Sequence, residues 1–196
     1  MFKKDTAHKN KSDEELMAMI CLGETNAFDE LYFRYRKRLM AYFMRMLWYD
    51  QMMAEDAVQD LFLKIADKPD NFDGSRLFKT WIFSVASNYC KNVYRSQEVR
   101  KKHLDYLMVQ KEKTFSVDVQ SEWKADRNEF TRCLHEILNE ISPDKKEAVI
   151  LRYQEDKTIA EIAEIQNCPE GSVKSRIHYT LKILEQKLQQ FKHLNK

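Results

Sequence analysis

The residues of this chain best placed to do chemistry are hydroxyls and cations between Ser172 and Tyr179. Ser172, Lys174, Ser175, Arg176, His178 and Tyr179 are interleaved there with Val173 and Ile177. Val173, Ile177, Leu181, Leu184 and Leu188 recur at three- and four-residue steps, the period of an amphipathic helix. The polar groups therefore crowd the first half of a helix, off its apolar stripe. Arginine can pair bidentately with guanine, serine can donate or accept, and lysine usually meets phosphate. The chemistry on offer is hydrogen bonding to a nucleic acid. A helical hairpin with a solvated polar face would carry the same pattern.

A second helix must position this one. Thr158 is a good N-cap, and Glu161 three residues on completes a capping box, in which each side chain satisfies a backbone N–H of the first turn. Ile159, Ile162, Ala163 and Ile165 make its apolar face, and Asn167-Cys168-Pro169 ends it. Pro169 cannot continue a helix but suits the first turn of the next. Two helices joined this way form a helix-turn-helix, whose second helix enters the major groove by its N-terminal residues.

A second candidate set lies nearer the N-terminus. Asp70-Asn71-Phe72-Asp73-Gly74-Ser75-Arg76 is a loop by its residue types. The spacing after it predicts a helix from about Leu77 to about Lys102, with Trp81, Ile82, Val85, Ala86, Tyr89 and Val93 inward. Lys79, Ser84, Asn88, Lys91, Asn92 and Arg95 fall on its other faces. An amide-bearing loop ahead of a basic helix with aromatic residues could hold unstacked bases along a backbone track. Taken singly, Trp81 and Tyr89 read as ordinary core aromatics.

Two helices precede that loop. One, with Phe28, Leu31, Tyr32, Tyr35, Leu39, Tyr42, Phe43 and Met46 at helical spacing, carries Arg34, Arg36, Lys37, Arg38 and Arg45, with no acid between Leu31 and Tyr49. The next, Asp50 to Lys68, has Ala54, Ala57, Val58, Leu61, Phe62 and Ile65 inward and Glu55, Asp56, Gln59 and Asp60 among them. A basic helix followed by an acidic one fits either charge complementarity within a bundle or a partner-binding face. Ahead of both, Ser12 and Glu15 form another capping box, opening a helix with Leu16, Met19 and Ile20 inward that Gly23 closes. Residues 1–11 are basic and polar and are expected to lack fixed structure.

Composition bounds the rest. The chain has 196 residues, 43% of them apolar, enough for one or two small domains with cores. Only three Gly and three Pro leave few turns, so the expectation is mostly helix. With 33 basic and 31 acidic residues the net charge is +2, and no strong overall field draws the chain to DNA. Cys21, Cys90, Cys133 and Cys168 are scattered without CxxC, which favours reduced structural thiols over a disulfide frame or a zinc site. Apolar runs such as Leu39 to Met44 are far too short to span a bilayer, and MFKKDTAHKNK is polar and lacks a signal-peptide core. No Walker loop, dinucleotide fingerprint or HExxH occurs, and His8, His103, His135, His178 and His193 are dispersed. Neither enzyme activity nor a metal or other cofactor is expected.

The run EIAEIQNCPEGSVKSRIHYTLKIL resembles the C-terminal domain of bacterial RNA polymerase sigma factors of the extracytoplasmic-function group, in which EIA, a short turn and P-x-G-T/S-V-K/R-S-R follow one another. Response regulators carry similar helix-turn-helix domains. AEDAVQDLFLKI followed by FKTWIFSVASNYCKNVYR resembles the N-terminal conserved domain of the same sigma factors. Both halves in the expected order on one chain are more specific than either alone. The resemblance covers about residues 24–97 and 133–188. Ile82, Val85, Ser87, Asn92 and Ser172 stand where Leu, Ile, Arg, Asp and Thr are commoner.

The resemblance implies an all-α fold of two small domains, residues 12–97 and 131–190, joined by a tether over 98–130. It implies an alternative sigma factor that selects and helps to open promoters. The docking face on the β′ clamp of core RNA polymerase would be Glu55, Asp56, Gln59, Asp60 and Phe62. The loop with Asn71, Phe72, Asp73 and Arg76 would receive a flipped base of the −10 element, beside a strand held by Lys79, Trp81, Asn88, Lys91, Asn92 and Arg95. Glu170, Ser172, Lys174, Ser175, Arg176 and His178 would read the −35 element. Implied partners are core polymerase, through the β′ clamp and β flap, promoter DNA, and an anti-sigma factor. The implied location is cytoplasmic, held at the inner membrane where the anti-sigma factor is membrane-anchored. A stand-alone helix-turn-helix regulator is the alternative, and the acidic helix and the Trp-bearing helix count against it.

Overall fold

The computed structural model describes residues 8–108 and 128–189, and these residues form eight α-helices and no strand. They are α1 (Asp13–Cys21), α2 (Thr25–Met46), α3 (Gln51–Asp67), α4 (Phe78–Met108), α5 (Asn128–Glu140), α6 (Pro143–Tyr153), α7 (Ile159–Gln166) and α8 (Glu170–Lys187), with a 3-10 turn at Pro69–Asn71. Most of the expected tether, residues 109–127, lies outside the described residues; its first part belongs to α4, which continues to Met108.

The local rules place the helix ends. The Glu15 N–H donates to Ser12 Oγ at 3.1 Å and the Ser12 N–H to Glu15 Oε2 at 2.7 Å, the reciprocal pair expected of a capping box. Gly23, at φ +88°, turns the chain after α1 in the left-handed region that glycine adopts without penalty. Asp50 caps α3 by accepting the Met53 N–H at 2.9 Å. Capping of α4 comes from a distance: Glu14 Oε1 of α1 accepts the Phe78 N–H at 2.9 Å, placing a carboxylate at the positive end of that helix.

The expected inward stripes are largely the core. Ala54, Ala57, Val58, Leu61, Phe62 and Ile65 of α3 are all buried, as are Leu31, Tyr35, Leu39, Tyr42, Phe43 and Met46 of α2. Four details differ. In α1 it is Met17 that is buried with Leu16 and Ile20, and Met19 only packs against the edge. In α4, Phe83 and Cys90 join Ile82 and Ala86 inside, while Trp81, Val85, Tyr89 and Val93 are half-buried. In α8, Thr180 is fully buried and Leu181 exposed, because the Thr180 hydroxyl is satisfied by the Arg176 carbonyl at 2.7 Å and the helix turns that residue inward. Residues 8–11 are held in place, against the expectation for the N-terminal segment: Arg34 donates to the carbonyls of His8, Lys9 and Lys11 and to Asp13 and Glu30.

The two halves share one core. Ala148, Ile150, Leu151, Ile162, Ile165, Val173 and Ile177 belong to the same buried cluster as the side chains of α1–α4, with α6 against α2 and α7 against α4. A smaller cluster of Ile137, Leu138 and Ile141 lies between α5 and the end of α8. Trp48 and Tyr49 turn the chain out of α2 at φ +54° and +61°, a strained pair of non-glycine residues. Their rings are held by neighbours that offset the strain: Trp48 edge-on to Tyr94, and Tyr49 stacked on His135 of α5 at 3.6 Å.

Candidate nucleic-acid interface

The turn before α8 is built as its residue types require. The Glu161 N–H donates to Thr158 Oγ1 at 3.2 Å and the Thr158 N–H to Glu161 Oε2 at 2.9 Å. Asn167 takes the left-handed conformation, φ +52°, that ends a helix, and the Cys168 N–H returns to the Ala163 carbonyl at 3.0 Å. Pro169 is the residue before α8 rather than its first member, and its carbonyl accepts the Ser172 N–H at 2.9 Å. Glu170, Lys174, Ser175, His178 and Tyr179 are exposed on this end of α8 and Ser172 is half-buried.

Arg176 is not presented with them. Its guanidinium turns back into the domain, donating to Asp144 Oδ2 at 2.8 Å, Gln166 Oε1 at 2.7 Å and Cys168 Sγ at 3.1 Å. The physical reason is local: a charge-assisted pair to Asp144 and a second acceptor on Gln166 outcompete solvent for a planar fork that is three-quarters covered. In this arrangement Arg176 braces α8 against α6 and the turn.

Around the first loop, Asn71, Asp73 and Arg76 are exposed. Asp73 Oδ1 accepts the Ser75 N–H at 2.9 Å, and this bond holds the Asp73 carboxyl below its usual range. Phe72, expected at the mouth of a base pocket, is a core ring instead: it is 9% exposed and packs edge-on against Phe78 at 5.4 Å and Trp81 at 5.2 Å. Trp81 is half-buried in that aromatic group. Lys79, Asn88, Asn92 and Arg95 are exposed on α4, and Lys91 is partly covered.

On α3, Glu55, Asp56, Gln59 and Asp60 are exposed. Phe62, expected on the same docking face, is 4% exposed and sits edge-on to Phe28 at 5.9 Å and Tyr32 at 4.8 Å. Helical spacing put Phe62 inward, and packing agrees with the spacing. The bases of α2 find acids elsewhere than on α3: Arg34 pairs with Asp13 and Glu30, and Arg38 with Glu155 of the second half.

What sequence reasoning missed is the polar seam between the halves. Tyr42 donates its hydroxyl to Glu147, both fully or nearly buried, and Gln166 Nε2 donates to the other carboxylate oxygen of Glu147 at 2.9 Å. Lys157, 2% exposed, donates to the Lys79 carbonyl at 2.8 Å and lies 5.1 Å over the Phe83 ring. Burial pushes the Lys157 ammonium down to about 8 and the Lys146 ammonium to about 8 as well. Burial raises the Glu155 carboxyl, against the lowering effect of Arg38. A signal was present in outline: Tyr42 falls on the inward stripe of α2, and a buried tyrosine hydroxyl needs an acceptor. Among the described residues, no group of three or more His, Cys, Asp or Glu is placed to hold a metal, and no helix is long and apolar enough to cross a membrane.

Comparison with known proteins follows the same division. Residues 31–100 match the family model for sigma-70 region 2, and residues 131–184 that for sigma-70 region 4. The chain is 30% identical over 183 residues to the ECF RNA polymerase sigma-E factor of Haemophilus influenzae, covering 91% of this chain and 96% of that one. It is 27% identical over 185 residues to the RNA polymerase sigma-H factor of Pseudomonas aeruginosa, covering 91% and 95%. Among solved structures it resembles the sigma factor RpoE of Bartonella quintana, in complex with the anti-sigma factor NepR (TM-score 0.60, 26% identity, 83% of this chain and 96% of that one). CnrH, in complex with the cytosolic domain of CnrY, shares the fold (TM-score 0.67, 22% identity, 91% and 98%).

Proposed function

The chain belongs to the extracytoplasmic-function group of the sigma-70 family, and from that premise we propose which of its surfaces do the work of a sigma factor. It is an alternative sigma factor: it binds core RNA polymerase, recognises the −10 and −35 promoter elements and promotes initiation of transcription. The observation that carries this is the occurrence of both conserved regions, in order, on one chain aligned over nearly its whole length. A stand-alone helix-turn-helix regulator would need only the second.

The residue assignments are our reading. Residues 12–97 form the unit for polymerase and the −10 element, and residues 131–190 the unit for the −35 element. Glu55, Asp56, Gln59 and Asp60 meet the β′ clamp. Exposure supports them, while Phe62 supports the face from inside. Asn71, Asp73 and Arg76 receive the flipped base, with Phe72 and Trp81 as the aromatic floor that holds the loop. Lys79, Asn88, Lys91, Asn92 and Arg95 follow the unpaired strand along α4, where amides and cations suit bases and phosphates. Glu170, Ser172, Lys174, Ser175 and His178 meet the −35 duplex, and Arg176 acts as their brace. The near-neutral net charge fits a factor whose hold on DNA comes mostly from core polymerase. The chain works in the cytoplasm without catalysis of its own, and an anti-sigma factor controls it, as for the Bartonella relative in its complex with NepR.

Size-exclusion chromatography with core polymerase tests the assignment. Wild type co-elutes, and an Asp56→Arg/Gln59→Ala double variant does not. Run-off transcription from genomic fragments then identifies the promoter. A wild-type chain that binds duplex DNA alone but never core polymerase would return the stand-alone regulator to first place.

A further inference from the structure

Two adjacent acids at the start of α1 serve different neighbours. Asp13 and Glu14 are about 100° apart around a helix of 3.6 residues per turn, so one meets α2 and the other α4. Asp13 Oδ2 accepts the Tyr35 hydroxyl, and Asp13 Oδ1 accepts from Arg34 Nη1 at 2.7 Å. Arg34 is saturated: its five N–H groups go to Asp13, to Glu30 and to the carbonyls of His8, Lys9 and Lys11. The start of α1 is thereby fixed to α2. Glu14, half-buried, faces the other way, and its Oε1 accepts the Phe78 N–H at 2.9 Å.

Phe78 is where the exposed loop joins α4. The loop backbone bonds within itself: the Phe72 N–H to the Pro69 carbonyl at 3.1 Å, the Ser75 N–H to Asp73 Oδ1, and the Arg76 N–H to the Asp73 carbonyl at 3.0 Å. Rings close its base, with Phe72 edge-on to Phe78 and Tyr35 edge-on to Phe78 at 5.3 Å. The 3-10 turn that opens the loop packs on α1 as well. So α1 reaches the junction at two points, the Phe78 backbone through Glu14 and the Phe78 ring through Asp13 and Tyr35. Leu77, the residue before α4, has no side-chain acceptor with which to cap it. A local cap would satisfy the N–H and tie the loop to nothing, whereas a cap from α1 also fixes where the loop sits.

Resting on the sigma-factor reading, we propose that Glu14 is a positioning residue for base capture during promoter opening. From α1 it sets the loop against the start of α4, so that Asn71, Asp73 and Arg76 meet the flipped base in register with the cations that hold its strand. Glu14 itself touches no nucleotide. Binding groups must be held to within about 0.5 Å of their productive place. A carboxylate bonded to the N–H of a helix start is a short, directional means of holding one.

The test uses holoenzyme assembled from the full chain and core polymerase. The probes are fluorescein-labelled single strands with the −10 sequence of a promoter found by run-off transcription, either intact or with one base at a time replaced by an abasic sugar. Anisotropy gives the affinity for each. The position where removal of the base costs wild type most marks the captured base. Three variants are compared. Glu14→Ala has no acceptor, Glu14→Gln keeps an amide oxygen for the Phe78 N–H, and Tyr35→Phe keeps the ring and loses the bond to Asp13. Thermal midpoints and co-elution with core polymerase are measured on the same samples.

Removal of the captured base should weaken wild type about tenfold. Glu14→Ala should bind the abasic strand as wild type does and the intact strand about tenfold less well, so that discrimination disappears. Glu14→Gln should restore most of it, and Tyr35→Phe should lose part. Equal weakening on both strands, in step with the thermal midpoint, would make Glu14 a stabilising cap only and overturn the proposal. Full discrimination in Glu14→Ala would also overturn it. Should Glu14→Ala melt below the assay temperature, Tyr35→Phe decides, and undiminished discrimination there overturns the proposal. Co-elution of wild type with core polymerase keeps the sigma reading in place whichever way the strands fall. A wild type that co-elutes yet is indifferent to every abasic position overturns base capture by this loop, and the role of Glu14 with it. A wild type that never co-elutes sinks the sigma reading itself.

Discussion

At the scale of single residues, the separation that matters is between side chains that contact a partner and side chains that hold those contacts in place. Phe62 and Asp56 both lie on α3 but in opposite surroundings, one 4% exposed among aromatic rings and the other on the surface. Phe62→Ala should cost about 3–5 kcal/mol of stability through the cavity it leaves, read as a lower thermal midpoint with polymerase binding lost only as the domain loosens. Asp56→Arg should leave the thermal midpoint unmoved and abolish co-elution. Equal melting of the two variants would mean that Phe62 is not the core residue described here.

Ser87 gives a second residue-scale test. Its hydroxyl is fully buried and has no hydrogen-bond partner among the described residues, and a buried unsatisfied hydroxyl destabilises. Ser87→Ala should therefore raise the unfolding free energy, by up to about 1–3 kcal/mol, in denaturant melts. Arg176 shows the converse. Its three acceptors lie within its own domain, so Arg176→Ala should weaken −35 binding together with the stability of the C-terminal half. A loss of −35 binding of roughly 1–3 kcal/mol with stability intact would return it to the set of base readers.

At the scale of elements, α7 is a short helix asked to do several things. It opens with a capping box, packs against α4, and sets the angle of α8 through Asn167. Glu161 sits at the meeting point. Burial works to raise its carboxyl, but the backbone and hydroxyl bonds from Thr158 and the bond from Lys79 outweigh burial and hold it at about 2. A carboxyl lowered in the folded state stabilises above its unfolded value and loses that stabilisation as pH falls through the folded one. Stability should therefore decline from about pH 4.5 towards about pH 2, and Glu161→Gln should flatten that limb of the profile. An unchanged acid limb in Glu161→Gln would show that other carboxylates carry it.

At the scale of the whole molecule, joining two small helical units through one core places lysines where lysines are rarely found. Lys146 and Lys157 are each 2% exposed and are pushed by burial to about 8. An ammonium lowered in the fold keeps its proton longer in the unfolded chain, so stability rises with pH between the folded and unfolded values. Opposing groups enter above that. Burial raises the thiol of Cys90 and the hydroxyls of Tyr35, Tyr42 and Tyr94, whose stabilisation is lost as the unfolded chain deprotonates. Unfolding free energy should climb from about pH 8 to about pH 9 and fall above about pH 10. Lys157→Met, which keeps an apolar stem over Phe83, should remove roughly half of the climb. A flat profile in wild type would mean that these amines meet water.

Whatever depends on near neighbours in the chain was legible from the sequence. Both capping boxes, the end of the helix at Asn167-Cys168-Pro169, the six-residue inward stripe of α3 and the order of the two conserved regions follow from residue type and spacing, because helix period and capping act within a few residues. Spacing also put Phe62 inside, where its core contacts are. Whatever depends on residues far apart was decided only by the tertiary structure. Which serine or leucine of α8 is covered, where Phe72 goes, and that Arg176 faces Asp144 depend on what packs opposite. The seam is the extreme case: Tyr42 and Glu147 lie 105 residues apart and Arg38 and Glu155 lie 117 apart. No periodicity pairs such groups. They meet because closing two apolar faces over each other buries Tyr42, Glu147 and Glu155, and burial of a polar group without a partner costs more than the pairing does.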